Sequence, residues 1–185
     1  MTTHTVSPAS YDRVMRIVHW LTLALVAAAF AAVWIDDPEI VGSYVNPVLQ
    51  IHRSLGLTVA ALTVFRLVWR WRVRVPDLPE DMRAVEKLAA RTVEGLIYLL
   101  LVAQPLVGLL YTNAYGLRAR PFFLFEIPAL IAKNKPLGIQ LGGIHSFLAY
   151  ALLSLIGLHA AAALFHHFIR RDDVLNAMLP PRLRR

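Results

Sequence analysis

Four apolar stretches, each long enough to cross a bilayer, leave this 185-residue chain few ways to fold. A helix takes about 20 residues to cross the hydrocarbon core. The stretches run from about Ile17 to Ile35, Val48 to Trp69, Leu88 to Tyr111 and Leu141 to Ile169. Lipid offers no partner for an open backbone, so a spanning segment without barrel closure must be helical. The expected fold is all-α: an integral membrane four-helix bundle forming a single domain over residues 1–185. Composition agrees, with 57% hydrophobic and 17% charged residues. A net charge of +7 would suit nucleic acid, but the basic residues lie between apolar runs rather than on one polar face. The expected partner is the lipid bilayer, and nucleic acid is not expected.

The basic residues also orient the chain, because Lys and Arg collect on the cytoplasmic side. One set of ends carries Arg13 and Arg16, then Arg70, Arg72, Arg74, Arg83, Lys87 and Arg91, then Arg170, Arg171, Arg182, Arg184 and Arg185. The opposite loops hold Arg118, Arg120, Lys133 and Lys135, with Asp36, Asp37 and Glu39 in the first of them. Both termini are therefore expected in the cytoplasm, with the chain in a bacterial inner membrane. The first span is expected to be retained rather than cleaved as a leader, since it is long and begins with His19 and Trp20. Gln104-Pro105 predicts a kink in the third span, its freed carbonyl met by a neighbouring helix.

Histidine is the chemical signal. The chain has no cysteine, which excludes disulfides, thiolate-ligated haem, iron–sulfur clusters and covalent c-type attachment. Seven histidines occur, and only His4 lies in a polar tail. Ionisable residues within a membrane are costly and usually functional. His145 and His159 stand 14 residues apart in the fourth span. On a helix this step leaves them about 40° from eclipsed and about 21 Å apart along the axis. One helix thus offers an imidazole near each membrane face. His52 opens the second span at the depth of His145, and His19 opens the first at the depth of His159. Two haem b groups, each held by two imidazoles, would use all four residues as iron ligands. Gly56, Gly142, Gly143 and Gly157 are candidate clearances for a flat macrocycle. The alternative is four polar residues hydrogen-bonded inside a bundle. Zinc is a poorer match, because two imidazoles leave its tetrahedral shell unfinished.

Arg66, 14 residues beyond His52, reaches the depth of the cytoplasmic pair. It is a candidate contact for a haem propionate or a quinone carbonyl, or else it snorkels to the interface with Arg70. His166 and His167 lie near the cytoplasmic surface and are candidates for relaying protons to a reduced quinone, with His167 a possible quinone or propionate contact. Interfacial histidines with no proton role are the other reading.

The segments Tyr11-Asp-Arg-Val-Met-Arg-Ile-Val-His19-Trp20, Ile51-His52-Arg53-Ser-Leu-Gly56 and Ile156-Gly-Leu-His159-Ala-Ala-Ala-Ala-Leu-Phe-His166-His167 resemble the bacterial cytochrome b561 family. The resemblance covers nearly the whole chain. It implies a dihaem four-helix fold, with His19 and His159 on the cytoplasmic haem and His52 and His145 on the periplasmic haem. It further implies quinone coupling. In one branch it implies superoxide oxidase activity, an oxidoreductase reaction in which superoxide becomes dioxygen and ubiquinone is reduced. Arg53, Arg118, Arg120, Lys133 and Lys135, opposed by Glu126, would form a positive rim that attracts a small anion. A second expectation within redox proteins is a membrane subunit that takes electrons from a periplasmic dehydrogenase or hydrogenase. Its redox protein partner would dock on the Asn113–Gln140 loop. A bundle without any cofactor is the third.

Overall fold

The structure is a computed structural model, and it describes residues 10–34, 47–180 and 183. His4, Ile35, Asp36, Asp37, Glu39, Arg182, Arg184 and Arg185 lie outside the described residues. Four long helices follow in order: α1 Arg13–Trp34, α2 Pro47–Arg70, α3 Ala84–Ala114 and α4 Lys135–Phe165. A short 3-10 turn, Pro121–Phe123, interrupts the α3–α4 loop, and a π-helical turn, His166–Arg170, extends α4. All four helices are long and apolar enough to span a membrane. The chain is an all-helical membrane protein, and there is no strand among the described residues.

The helices outrun the apolar stretches that announce them. At 31 residues, α3 and α4 are each about 46 Å long, well beyond a hydrocarbon core of about 30 Å. Leaving lipid does not end a helix; only loss of backbone pairing does. Thus α3 starts at Ala84, where the Glu86 carboxylate accepts from the Arg83 amide. It runs through Pro105 without interruption. Helix α4 begins at Lys135 because Asn134 accepts from the Leu137 amide and Pro136 suits a first turn. Six serine and threonine hydroxyls inside the spans are satisfied without leaving their own helix. Thr22, Ser54, Thr58, Thr63, Thr112 and Ser154 each donate to the carbonyl four residues back.

Neighbours in sequence are neighbours in space. α1 packs on α2, α2 on α3, and α3 on α4, whereas the α4 backbone packs closely on neither α1 nor α2. Midway along the bundle, Val26, Val59, Leu100, Leu101 and Leu152 form a buried apolar layer contributed by all four helices.

One end of the bundle gathers both described chain ends. The Tyr11 amide donates to the Ala177 carbonyl, Arg16 to that of Leu179 and Trp20 Nε1 to that of Met178. Arg170 donates to Asp81 and Glu86, tying the foot of α4 to the α2–α3 connection. At the other end the α3–α4 loop folds back on the helices. Buried Asn113 donates to the Leu117 carbonyl and accepts from the Leu130 amide, and the Asn134 amide donates to the Ala114 carbonyl.

Candidate functional site

The bundle brings together both histidine pairs that the 14-residue step suggests. The ring centres of His52 and His145 lie 6.1 Å apart, with the rings inclined at 81°. Those of His19 and His159 lie 6.3 Å apart, inclined at 60°. Each pair joins α4 to a helix whose backbone does not pack against it, so the imidazoles meet across a gap. The apolar layer around Leu152 separates the two pairs.

Two imidazoles sharing one metal ion, each bonded at about 2 Å, have ring centres roughly 6 Å apart. Both pairs have that spacing. Among the described residues no group of three or more His, Cys, Asp or Glu side chains is placed to hold an ion. The donor set at each pair is therefore two imidazoles, which would suit a metal already held within a planar ring system.

Around His52 and His145 the fit extends to the surroundings. Nδ1 of His52 lies 2.9 Å from the Ala29 carbonyl oxygen. An acceptor there makes Nδ1 the protonated nitrogen and leaves the Nε2 lone pair free, as metal-ligating histidines usually require. Nδ1 of His145 is buried without a partner, and Gln104 donates to the His145 backbone carbonyl at 2.9 Å. A cavity of about 520 Å³ opens beside the pair, lined by Gly56, Gln104, Pro105, Gly108, Tyr111 and Arg53 among others.

The glycines divide differently from the sequence expectation. Gly108 of α3 faces His145, and a Cβ there would stand 2.9 Å from its Cε1. Gly142 faces the Tyr111 ring instead, while Gly143 and Gly157 face open space. Gly56 is only in ordinary contact distance of Pro105. Gly108 lies four residues beyond Gln104, so one face of α3 supplies both the polar contact and the clearance. It carries no ligand-type side chain, and spacing arguments about histidines pass over it.

The second pair has polar company. Nη1 of Arg66 lies 3.1 Å from Nδ1 of His19, so Arg66 is at the depth of this pair rather than at the interface with Arg70. Arg70 pairs with Glu94 at 3.0 Å. The Arg66 guanidinium also sits over the Tyr98 ring, 5.2 Å from its centre. Nε of Arg66 and the Tyr98 hydroxyl are both buried without a hydrogen-bond partner. Tyr98 is a site residue that only the fold reveals. Nothing in its sequence neighbourhood distinguishes it from a lipid-facing tyrosine.

His166 and His167 part company. Nδ1 of His166 pairs with Asp172 at 2.5 Å. His167 packs edge-on against Phe168 and lines a separate cleft with Arg171, Asp172, Asp173 and Asn176. The structure thus puts His167 in a cleft of its own, apart from the paired histidines. The basic rim is partly paired within the protein. Glu126 pairs with both Arg118 at 3.5 Å and Arg120 at 3.6 Å, and Arg53 donates to Gln50.

A family model described as prokaryotic cytochrome b561 matches residues 10–181, which takes in all four helices and both pairs. Cytochrome b561 homolog 2 of Escherichia coli (strain K12) is 30% identical over 174 residues, covering 94% of this chain and 93% of its own. Cytochrome b561 homolog 1 of the same strain is 29% identical, covering 93% of this chain and 98% of its own. A Yersinia pestis protein named Probable superoxide oxidase CybB is 30% identical, covering 88% and 92%. Similarity of this extent, over helices that bring four imidazoles together in pairs, means that the chain belongs to the prokaryotic cytochrome b561 family, b-type haem proteins of membrane electron transfer.

Proposed function

We propose that the chain is a dihaem cytochrome that accepts electrons from superoxide on the periplasmic side and delivers them to ubiquinone. The observation that carries the dihaem reading is the repeated spacing of about 6 Å between imidazoles, once at each end of one helix. His52 and His145 hold one haem b iron, His19 and His159 the other. The bis-imidazole haem supplies one-electron chemistry, with its potential set by ligands, hydrogen bonds and burial.

The side chains around these ligands have separable tasks. The Ala29 carbonyl fixes the tautomer and orientation of His52. Gln104 holds the α4 backbone at His145, and Gly108 keeps the space beside that ring free. Arg66 can only donate, so its contact makes Nδ1 of His19 an acceptor. Were His19 to hold an iron through Nε2, its proton would sit on Nδ1, and Arg66 would be free to serve a carboxylate or a carbonyl oxygen beside the unpartnered Tyr98 hydroxyl. In the overall balance two superoxide anions each lose one electron to become dioxygen. One ubiquinone gains both electrons and two protons. The Lys/Arg bias supports placing the His19/His159 end in the cytoplasm, with both termini, in a bacterial inner membrane.

Reduced-minus-oxidised spectra with haem stoichiometry test the cofactor reading, and two b haems per chain are expected. Stopped-flow mixing with superoxide tests the donor, with reduction expected near the diffusion limit and slowed by salt. Slow, salt-insensitive reduction would remove superoxide as donor. The second reading is a soluble redox partner: Glu126 pairs with two of the five basic residues that would guide an anion. Co-purification of a dehydrogenase or hydrogenase, lost on trimming the α3–α4 loop, would decide for that reading.

A further inference from the structure

The α3–α4 loop carries four large apolar side chains in succession, Phe122, Phe123, Leu124 and Phe125, which are 49%, 53%, 77% and 59% exposed. Runs of exposed apolar residues are uncommon on water-facing surfaces without a function. This run is held in place. The Phe122 amide donates to Oγ of Ser54 at 2.8 Å, the Phe123 amide to the Arg120 carbonyl and the Leu124 amide to that of Pro121. The amides of residues 122–124 are thus paired within the protein, which lowers the cost of bringing this turn to the membrane boundary. Phe122 and Phe123 both have positive φ, at 47° and 63°, an unusual backbone for bulky residues left half-exposed by the protein.

The tether also fixes the depth of the loop. Ser54 lies 16 residues before Arg70 on α2, or about 24 Å along the axis, less than the roughly 30 Å of a hydrocarbon core. With Arg70 at one membrane boundary, the Phe122 amide lies short of the other. On α2 an apolar residue one turn from Ser54, Ile51, is itself exposed. The charged residues sit at the margins of the run. Arg118 and Arg120 pair with Glu126, and Lys133 and Lys135 follow. Such residues suit the headgroup level, with phenylalanine below it.

We propose that the Phe122–Phe125 segment is a fixed membrane-dipping element, its side chains inserted among the acyl chains at the lipid boundary of the outer leaflet. The loop then does not stand free in water above the His52/His145 end. It clamps the mouth of α2 to the lipid surface.

The natural absence of cysteine allows single labels without further changes. Nitroxide is attached to Leu124→Cys and, separately, Phe125→Cys in the haem-loaded protein, reconstituted in phosphatidylethanolamine–phosphatidylglycerol vesicles. Leu158→Cys on the exposed apolar surface of α4 and Lys135→Cys at the start of that helix give the lipid and water references. Collision rates with oxygen and with a water-soluble nickel chelate are compared. At 124 and 125 the oxygen-to-nickel ratio is expected to exceed that at 135 several-fold and approach that at 158. A ratio matching 135 overturns the proposal in favour of a loop free to meet a soluble protein. Spin–spin broadening at 124 also overturns it, because a second copy then covers the run.

Discussion

Nδ1 of His52 on α2 and the Ala29 carbonyl on α1 are 2.9 Å apart, so one helix backbone decides which nitrogen its neighbour's imidazole presents to α4. Ala29 is one of the buried residues of α1. Its carbonyl orients a ligand-type side chain without contributing one.

The histidine pairs predict separable losses. His52→Ala or His145→Ala is expected to lower the content from two b haems to one per chain, and His19→Ala or His159→Ala to remove the other. Pyridine haemochrome quantification against protein concentration measures this. Loss of both haems from any single substitution would mean that the pairs are not independent sites.

Gly108 predicts a contrast between glycines. A methyl group at 108 meets His145 at 2.9 Å, whereas Gly157 has nothing within 4 Å of an added Cβ. Gly108→Ala should cost about 1–3 kcal/mol of overpacking and perturb the spectrum of the His52/His145 haem. Gly157→Ala should leave both spectrum and melting temperature near the wild-type values. Comparable effects from the two would contradict the assignment of clearance to Gly108.

Arg66 predicts a local electrostatic effect. Removing a buried cation near a redox centre favours the more positive, oxidised state. Arg66→Leu is therefore expected to lower the midpoint potential of the His19/His159 haem. The scale is about 59 mV for each tenfold change in the one-electron equilibrium. Potentiometric titration should show the other haem shifted much less.

Glu126 predicts a gain on removal of a charge. Glu126→Gln frees Arg118 and Arg120 from their ion pairs. If superoxide is the donor, the rate of haem reduction should rise a few-fold at low salt and fall more steeply as salt is added. Stopped-flow rates at several ionic strengths measure both effects.

Asp12 predicts a pH-dependent cap. Its Oδ1 accepts from the amides of Val14 and Met15 and from Trp69 Nε1, and these bonds, that of Trp69 foremost, hold its carboxyl below the ordinary value. A depressed carboxylate stabilises the fold above its unfolded pKa of about 4, and that contribution is lost as pH falls through the folded value. Asp12→Ala should cost about 1 kcal/mol at neutral pH. The gap between the two proteins should close in acid, as thermal unfolding in detergent across pH would show.

The four spans and the pairing of the histidines were legible because each depends on a period or a length. Apolar runs measure out a bilayer, and the step from His145 to His159 fixes two side chains on one helix face whatever surrounds them. The helix ends were less legible. Residues 84–87 and 136–138 lie outside the apolar runs, yet capping at Glu86 and Asn134 carries the helices through them. Three features required the fold itself. Gly108 and Tyr98 matter through what stands opposite them, and the Ser54–Phe122 bond joins residues 68 positions apart. The pairing of Glu126 with two arginines was equally out of reach, since the loop closes on itself only in three dimensions.

Helix α4 lends one imidazole to each pair, and it is synthesised after α1 and α2, which supply the other two. During biogenesis His19 and His52 enter the membrane with no counterpart, and both pairs come into being in a single event when α4 joins the bundle. Completion of both pairs thus waits on the fourth span. A chain truncated before residue 145 has no complete pair, and one cut between 145 and 159 can form only one of the two.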